Sequence, residues 1–407
     1  MPQNLKPLTT LRFFAAMWVV AFHFWPNLGI AMPAIVDKGY LGVELFFVLS
    51  GFILSHVYLE RFRNGSFHYG EFIWARLARI YPVHIFILVG LGLLMATLAL
   101  VGIKAGDKLL VWSSLPAQIT LTQAWGLAPH GGWNHPSWSI SAEWFAYLTF
   151  PAFAFAMVKM WARPRLAAAL AVLFLVVLYI GFETVAGFPL TRATILWGAL
   201  RIVPCFALGC SLWLLWRSGA LRTNASALAF SAGALSLLVA STSLGLPDFV
   251  SVVACGGLIL GLGASVRNGS RVLSAPALVY LGEVSFAVYM VCIPWQLVFG
   301  EGLQKVANIE ADHMPLPIWI AMVVGVVPAA MAVHHLIERP ARDLMRRVKF
   351  ERKRRWTFTG GLSSARASAT NRLKSFHTCT QAVSLCRTAT FADTPIHVPA
   401  QENGASS

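Results

Sequence analysis

The stretch Leu-Ala-Ala-Ala-Leu-Ala-Val-Leu-Phe-Leu-Val-Val-Leu-Tyr-Ile-Gly-Phe, residues 166–182, decides what kind of fold this chain can adopt. It contains no charged residue, and an apolar stretch of about 20 residues is long enough for a helix that crosses a bilayer. Nine further mostly apolar stretches, several of which carry Arg, Glu, His or Pro, are centred on Trp18, Val48, Leu88, Leu148, Phe206, Ala234, Gly257, Val288 and Gly325. The sequence therefore predicts an all-α polytopic membrane protein with about ten transmembrane helices.

The composition of the 407-residue chain agrees with a membrane protein. Hydrophobic residues make up 57% of the chain and charged residues only 12%, and the mean hydropathy is +0.65. A soluble domain carries about 25% charged residues. Because half of that charge could not cover the surface of a globule of this size, the composition excludes a soluble enzyme.

The distribution of Lys and Arg between the predicted loops indicates the orientation, since cytoplasmic loops collect these residues. The second, fourth, sixth and eighth loops are basic, and the loops between them are not. The basic loops contain Arg61, Arg63, Arg76, Arg79, Lys159, Arg163, Arg165, Arg217, Arg222, Arg267 and Arg271. With ten spans, this pattern predicts that both termini are cytoplasmic.

Two segments differ from the predicted spans. Residues 109–127 are apolar but are interrupted by Pro116 and by polar side chains, which favours a re-entrant or interfacial segment. Residues 346–407 begin with a dense basic run and continue with Ser, Thr and Ala. This composition predicts a disordered cytoplasmic tail that meets anionic lipid head groups. Because no aromatic platform is interleaved with the basic residues, we expect no binding of nucleic acid.

Arg12 and His23 lie in the first predicted span, where charged side chains are costly and mark candidate sites. Their separation of eleven residues is close to three helical turns, so both project from one face, about 16 Å apart along the axis. Arg12 could hold an anionic ligand, and His23 is suited to general-base catalysis near neutral pH. The alternative is an Arg that reaches lipid phosphate and a His that a neighbouring helix satisfies.

Arg76 and Arg79 lie three residues apart, so they share one face of a helix. Two guanidinium groups in this arrangement suit phosphate binding, although ordinary loop topology would also place basic residues here. Glu44 lies in the run Gly42-Val-Glu-Leu-Phe-Phe-Val-Leu-Ser-Gly-Phe52, whose small residues equally favour close helix packing.

Glu143 follows Trp138-Ser-Ile-Ser-Ala and lies about one turn inside the fourth predicted span. His130 and His135 are just upstream, and a carboxylate near a His can orient it and stabilise its charged form. No His pair combines helical ligand spacing with an acidic partner, so no metal site is predicted.

Taken in order, these motifs resemble acyltransferase family 3, bacterial membrane enzymes that O-acylate surface and secreted glycans. The resemblance covers about residues 8–345. The matching pieces are Arg12 with His23, residues 42–52, Arg76-Leu-Ala-Arg79-Ile-Tyr-Pro82, Trp138-Ser-Ile-Ser-Ala-Glu143, Leu281-Gly-Glu-Val-Ser-Phe-Ala-Val-Tyr289 and Glu338-Arg-Pro340. It implies a membrane acyltransferase domain over residues 1–345, followed by the basic tail.

The resemblance also implies an activity. The enzyme would move an acyl group, expected to be acetyl, from cytoplasmic acyl-CoA to a hydroxyl of a surface or exported glycan, as a multi-pass protein of the bacterial inner membrane. Acyl-CoA would be a substrate, and no bound cofactor is expected. A transporter or flippase for a glycan or lipid-linked substrate is the alternative. The two halves of the chain show no convincing internal repeat, which disfavours it.

The residue roles follow from the same resemblance. His23 would act as the base or in an acyl relay, with Glu143 as its orienting partner. Substrate binding would fall to Arg12, Arg76, Arg79, Glu44, Ser139 and Tyr289, the arginines meeting the phosphates of the donor. Cys292 stands where many relatives carry His, and packing is its expected role.

Overall fold

The computed structural model describes residues 5–100, 110–128, 130–307 and 312–347. Over these residues the chain forms α-helices and short 3-10 or π turns, and no β-strand occurs among them. The helices are α1 Lys6–Phe24, α2 Ala34–Asp37, α3 Gly42–Leu54, α4 Glu60–Arg63, α5 Tyr69–Leu100, α6 Leu115–Thr120, α7 Trp138–Leu148, α8 Phe150–Lys159, α9 Pro164–Ala186, α10 Gly198–Arg217, α11 Asn224–Ser243, α12 Asp248–Arg267, α13 Pro276–Ala307, α14 Leu316–Val333 and α15 Arg339–Arg346. The all-α prediction is confirmed.

Within the described part of the chain, nine helical stretches are long and apolar enough to cross a membrane. A tenth forms if α7 and α8 are counted as one span that bends by 53°. The bend lies at Thr149, and Pro151 follows it in the first turn of α8, where a residue without an N–H is tolerated at a helix start. The predicted number of spans is confirmed, while the cytoplasmic location of both termini stays a prediction.

The structure describes most of residues 109–127 but only the first two residues of the predicted tail, residues 346–407. The described part of residues 109–127 contains a 3-10 turn, Trp112–Ser114, and the six-residue helix α6, and both are too short to cross a bilayer. The tail predicted over residues 346–407 lies outside the described residues from residue 348 onward.

Close contact between α3 and α10 depends on two glycines. A Cβ atom on Gly51 would collide with the carbonyl oxygen of Phe206, and one on Gly209 with the carbonyl oxygen of Val48. Small residues allow helix backbones to approach closely in lipid, where van der Waals packing drives association. This contact brings α10 against the helix that carries Glu44 and Ser50.

The loops at the predicted extracytoplasmic end are joined through Asp248. Its carboxylate accepts hydrogen bonds from Tyr40, over 2.8 Å, and from Thr191, and it pairs with Lys38 over 2.6 Å. Asp248 is buried, so these three partners satisfy a charge that would otherwise be costly. The contacts hold the starts of α3 and α12 and the loop before α10 together.

Candidate active site

A cavity of about 200 Å³ lies between α1, α3, α5, α7 and α13. Six of the eight residues predicted for the site line it, although they are scattered over the chain. They are Arg12, Arg76, Arg79, Ser139, Glu143 and Tyr289. Apolar side chains of α3 and α13 form much of the remaining wall, including Phe46, Phe47, Ile53 and Phe286.

Glu143 is held by two hydroxyl groups. Its Oε1 accepts a hydrogen bond from Ser50 Oγ over 2.8 Å and another from Tyr147 OH over 2.5 Å. Arg12 attracts the same carboxylate electrostatically. Sequence reasoning missed both hydroxyl partners. Tyr147 could have been found from its i, i+4 spacing to Glu143, whereas Ser50 reaches the carboxylate only because α3 packs on α7.

Arg76 is placed by aromatic rings. Its Cζ lies 5.7 Å from the centroid of the Tyr58 ring and 6.0 Å from that of Tyr147, distances at which a cation is attracted to the ring face. Arg76 Nε is buried and has no hydrogen-bond partner within the described residues. A buried donor of this kind calls for a partner, so Arg76 is available to an anionic ligand.

A second cavity, of about 380 Å³, adjoins the first and shares Arg12 and Arg79 with it. Its other charged lining residues come from the end of the last span and from α13. They are Glu283, His334, His335, Arg339 and Arg342, with Tyr280 beside them. Glu283 and Arg339 belong to motifs that carry the family resemblance, but neither was predicted as a site residue.

A π-helical turn, His334–Glu338, shapes this second cavity. His334 Nδ1 lies 2.8 Å from Glu338 Oε2, Arg342 lies 3.4 Å from Glu338 Oε1, and Tyr280 OH lies 2.8 Å from His335 Nε2. Turns of this type are frequent at functional sites because they redirect side chains within a helix. Here the turn brings two imidazoles to the cavity, while Glu338 offsets part of the positive charge.

His23 lies apart from the cavity, near the end of α1. Its ring interacts electrostatically with His135, which is exposed, and its carbonyl oxygen accepts a hydrogen bond from Gln296 Nε2 over 3.0 Å. Gln296 also binds Asn27 Oδ1 over 2.6 Å. Gln296 therefore binds the backbone of His23, and His135 interacts with its ring.

The packing of α1 on the start of the second span shows how far His23 is from Glu143. Gly39 packs on Trp18, and Gly42 packs on Ala15 and Val19, so the two segments are antiparallel. Ser50, which binds Glu143, lies eight residues from Gly42 in one direction, and His23 lies eight residues from Ala15 in the other. At a rise of 1.5 Å per residue, Ser50 and His23 are about 24 Å apart along the bundle if Ala15 marks the level of Gly42, and about 18 Å apart if Val19 does. The structure does not bring Glu143 to His23, so direct orientation of His23 by Glu143 has no geometric basis here.

Glu44 is also outside the cavity. Its Oε1 lies 2.5 Å from Arg201 Nε, and the two side chains are 0% and 2% exposed. Arg201 also donates to the carbonyl oxygen of Ala193 over 2.8 Å, and its Cζ lies 4.6 Å from the Trp138 ring. This is a buried ion pair between α3 and α10, and its partner Arg201 was missed because the two residues are far apart in sequence.

The thiol of Cys292 lies outside the first cavity. Cys292 is buried, and its Sγ contacts the carbonyl oxygen of Tyr289 over 3.1 Å rather than lining the cavity. No group of three or more His, Cys, Asp and Glu side chains gathers as a metal site would require, over the residues that the structure describes. The polar side chains that line the two cavities are those of arginines, histidines, hydroxyl residues and carboxylates.

Comparison with known proteins indicates the family of the chain. A family model described as an acyltransferase domain matches residues 7–335. The acyltransferase MdmB of Streptomyces mycarofaciens is 33% identical over 316 residues, which is 71% of this chain and 78% of that protein. The putative peptidoglycan O-acetyltransferase YrhL of Bacillus subtilis (strain 168) is 25% identical over 88% of this chain and 58% of its own length. Protein 2 in picA locus of Rhizobium radiobacter is 38% identical over 84 residues, 42% of its length.

No solved structure matches the chain. The family match includes every residue that lines the first cavity, but it ends before Arg339 and Arg342 of the second cavity. The membrane architecture expected from the motifs is confirmed. The expected enzyme class, an acyltransferase for groups other than amino-acyl groups, is confirmed as well. The chain belongs to acyltransferase family 3.

Proposed function

We propose that this protein transfers an acyl group, in the first place acetyl, from cytoplasmic acyl-CoA to a hydroxyl of a surface or exported glycan, and that it does so in the bacterial inner membrane. One observation carries the proposal. Two adjoining cavities share Arg12 and Arg79, one of them rich in charged side chains and the other largely apolar. An acyl-CoA has the same division, with phosphates at one end and a long uncharged arm at the other.

The charged cavity suits the phosphates of the donor. Arg79, Arg339 and Arg342 line it, and guanidinium groups bind phosphate through paired hydrogen bonds. It lies at the end of the bundle that the basic loops predict to be cytoplasmic, where the donor is made. The uncharged arm would then lie along Phe46, Ile53 and Phe286 of the apolar cavity, with its thioester toward Tyr289.

The chemistry at the other end falls to His23. As a neutral imidazole it accepts the proton of an acceptor hydroxyl while the hydroxyl oxygen bonds to the carbonyl carbon of the thioester. The carbon–sulfur bond breaks, and the CoA thiolate takes up the proton as it leaves. Because His135 beside His23 is exposed, an acceptor from the extracytoplasmic side can approach the pair.

The named relatives support a hydroxyl acceptor and an acetyl donor. The Bacillus protein is named as a peptidoglycan O-acetyltransferase and the Streptomyces protein as an acyltransferase. Peptidoglycan is a glycan that is completed outside the cytoplasm, so an enzyme of this kind joins a cytoplasmic donor to an exported acceptor.

The proposal is tested by supplying membranes that contain the protein with acetyl-CoA labelled in the acetyl group and measuring label in the glycan fraction. Wild-type membranes should label it, and His23→Ala should abolish the transfer at equal expression. His130→Ala is the matched control, because His130 is exposed and its ring lines neither cavity.

Two outcomes would contradict the proposal. Full labelling by His23→Ala would remove the catalytic role of His23. Absence of transfer by the wild type, together with uptake of a glycan precursor into vesicles that hold no acyl donor, would indicate the transporter instead.

A further inference from the structure

The segment 134–139 joins Ser139, in the wall of the cavity, to His135, which interacts electrostatically with His23. It begins with Asn134, whose Nδ2 donates to the carbonyl oxygen of Met290 over 3.0 Å. Tyr289 OH donates to the carbonyl oxygen of Pro136 over 3.1 Å, and Ser139 Oγ donates to the same oxygen over 3.1 Å. The 3-10 turn at the start of the fourth span is thus tied to α13.

The two sides of this segment face different surroundings. Ser139 and Tyr289 line the apolar cavity and are 8% and 7% exposed. His135, one residue before Pro136, is exposed and interacts electrostatically with His23. The hydrogen bond from Tyr289 to Pro136 therefore links the wall of the donor cavity to the turn that carries His135.

The backbone just before the segment is held in a conformation that it would not adopt by itself. Trp133 has a φ of 56°, in the left-handed region, which is costly for a residue with a large side chain. It is buried, and its Nε1 donates to the carbonyl oxygen of Val111 over 3.0 Å. Such conformations persist only where the surroundings impose them, which indicates that the turn is kept in a set position.

We propose that Tyr289 is a specificity-determining residue: its ring closes the inner end of the donor cavity, and its hydrogen bond to Pro136 keeps water at the histidine pair away from the thioester. This inference rests on the proposed function, since it assumes that the cavity holds the arm of an acyl-CoA. Transfer to an acceptor at His23 requires the contact between Tyr289 and Pro136 to open. The size of that opening limits the acyl group that passes, so the enzyme prefers short acyl groups.

The test uses the full-length protein in proteoliposomes, with acetyl-, butyryl- and hexanoyl-CoA as donors. Two quantities are measured for each donor: transfer to the glycan, as kcat/KM, and release of free CoA thiol without any acceptor. Release without acceptor reports thioester hydrolysis, in which water supplies the oxygen of the carboxylic acid and a proton for the thiol.

Two variants distinguish the effect of the Tyr289 ring from that of its hydroxyl group. Tyr289→Phe keeps the ring but loses the hydrogen bond, and it should raise hydrolysis about fivefold, the effect of one hydrogen bond, with the preference for acetyl retained. Tyr289→Ala removes the ring, and it should also raise the hexanoyl-to-acetyl ratio of kcat/KM by about tenfold or more, as expected when a hydrophobic pocket gains room for methylenes.

Tyr179→Phe is the matched control. Tyr179 is a buried tyrosine whose hydroxyl lies 3.4 Å from Cys205 Sγ, and it does not line the donor cavity. This variant should leave both the ratio and the hydrolysis as in wild type, and size-exclusion chromatography in detergent should show that all three variants are folded.

The proposal is overturned if folded Tyr289→Ala keeps the wild-type donor ratio and the wild-type hydrolysis, or if Tyr179→Phe changes both as strongly. A failure of the proposed function is seen separately, in the wild type. If wild-type protein turns over none of the three thioesters, with or without glycan, both proposals fall.

Discussion

The buried ion pair of Glu44 and Arg201 offers a prediction that separates a structural role from a substrate-binding role. Replacing Glu44 by Gln preserves its shape but removes its charge, which leaves Arg201 as an uncompensated cation that is 2% exposed. Removing one partner of a buried pair costs about 3–5 kcal/mol. We expect a value near 3 kcal/mol, because Arg201 keeps its hydrogen bond to Ala193 and its contact with the Trp138 ring.

The double replacement Glu44→Leu with Arg201→Met gives a contrasting expectation. It removes both charges together and fills the space with apolar side chains. Replacing a whole buried pair in this way is often neutral or stabilising, so the double variant should be at least about 2 kcal/mol more stable than Glu44→Gln, and the single changes should be strongly non-additive.

The assay is the free energy of unfolding in mixed micelles, with acetyl transfer measured on the same preparations. Since Glu44 lies outside the donor cavity, the folded double variant should keep the KM of wild type for acetyl-CoA. A loss of less than about 1 kcal/mol in Glu44→Gln would refute the argument from burial. A folded double variant with a KM raised tenfold or more, a change of about 1.4 kcal/mol in binding, would instead support the substrate-binding role predicted for Glu44.

Two further predictions concern the donor and the packing of the helices. Arg342→Ala should raise the KM for acetyl-CoA by roughly tenfold with little change in kcat. Arg347 is exposed and does not line the charged cavity, so Arg347→Ala should leave the KM unchanged. Equal KM values for the two variants would contradict binding of the donor in the charged cavity. Gly209→Ala should lower the thermal stability in detergent, because the added Cβ would collide with the backbone of α3 at Val48. Gly233→Ala is the control, because its Cβ would meet nothing within 4 Å. It should be neutral or stabilising by up to about 1 kcal/mol. A stable Gly209→Ala protein would show that α3 and α10 can separate at no cost.

Much of the fold follows from local sequence. Runs such as residues 166–182 are apolar and unbroken, and a helix is the structure that satisfies their backbone hydrogen bonds in lipid. The 53° bend of the fourth span at Thr149 was not predicted, because the hydropathy of a span does not show where it bends. The candidate site was predicted in part: Arg12, Arg76, Arg79, Ser139, Glu143 and Tyr289 line one cavity. Their roles in binding and catalysis stay predictions until the variants are measured.

The missed features share one cause. Ser50 binds Glu143 from 93 residues away, and Arg201 binds Glu44 from 157 residues away. Spacing along a helix shows which side chains share a face of that helix, but it does not show which face of another helix they meet. For the same reason, the 16 Å rise between Arg12 and His23 could be predicted, whereas the distance of His23 from Glu143 could not.

The sequence by itself determined that the chain crosses the membrane, how often it does so, and which side chains are too polar to lie there without a partner. These properties depend on residue type and on spacing of a few residues, so they are readable before folding. Only the tertiary structure decided which of those side chains share a cavity and which neutralise each other. It separated Glu44 and His23 from the cavity and joined Tyr289, in the cavity wall, to Pro136, because contacts between helices depend on packing across the whole bundle.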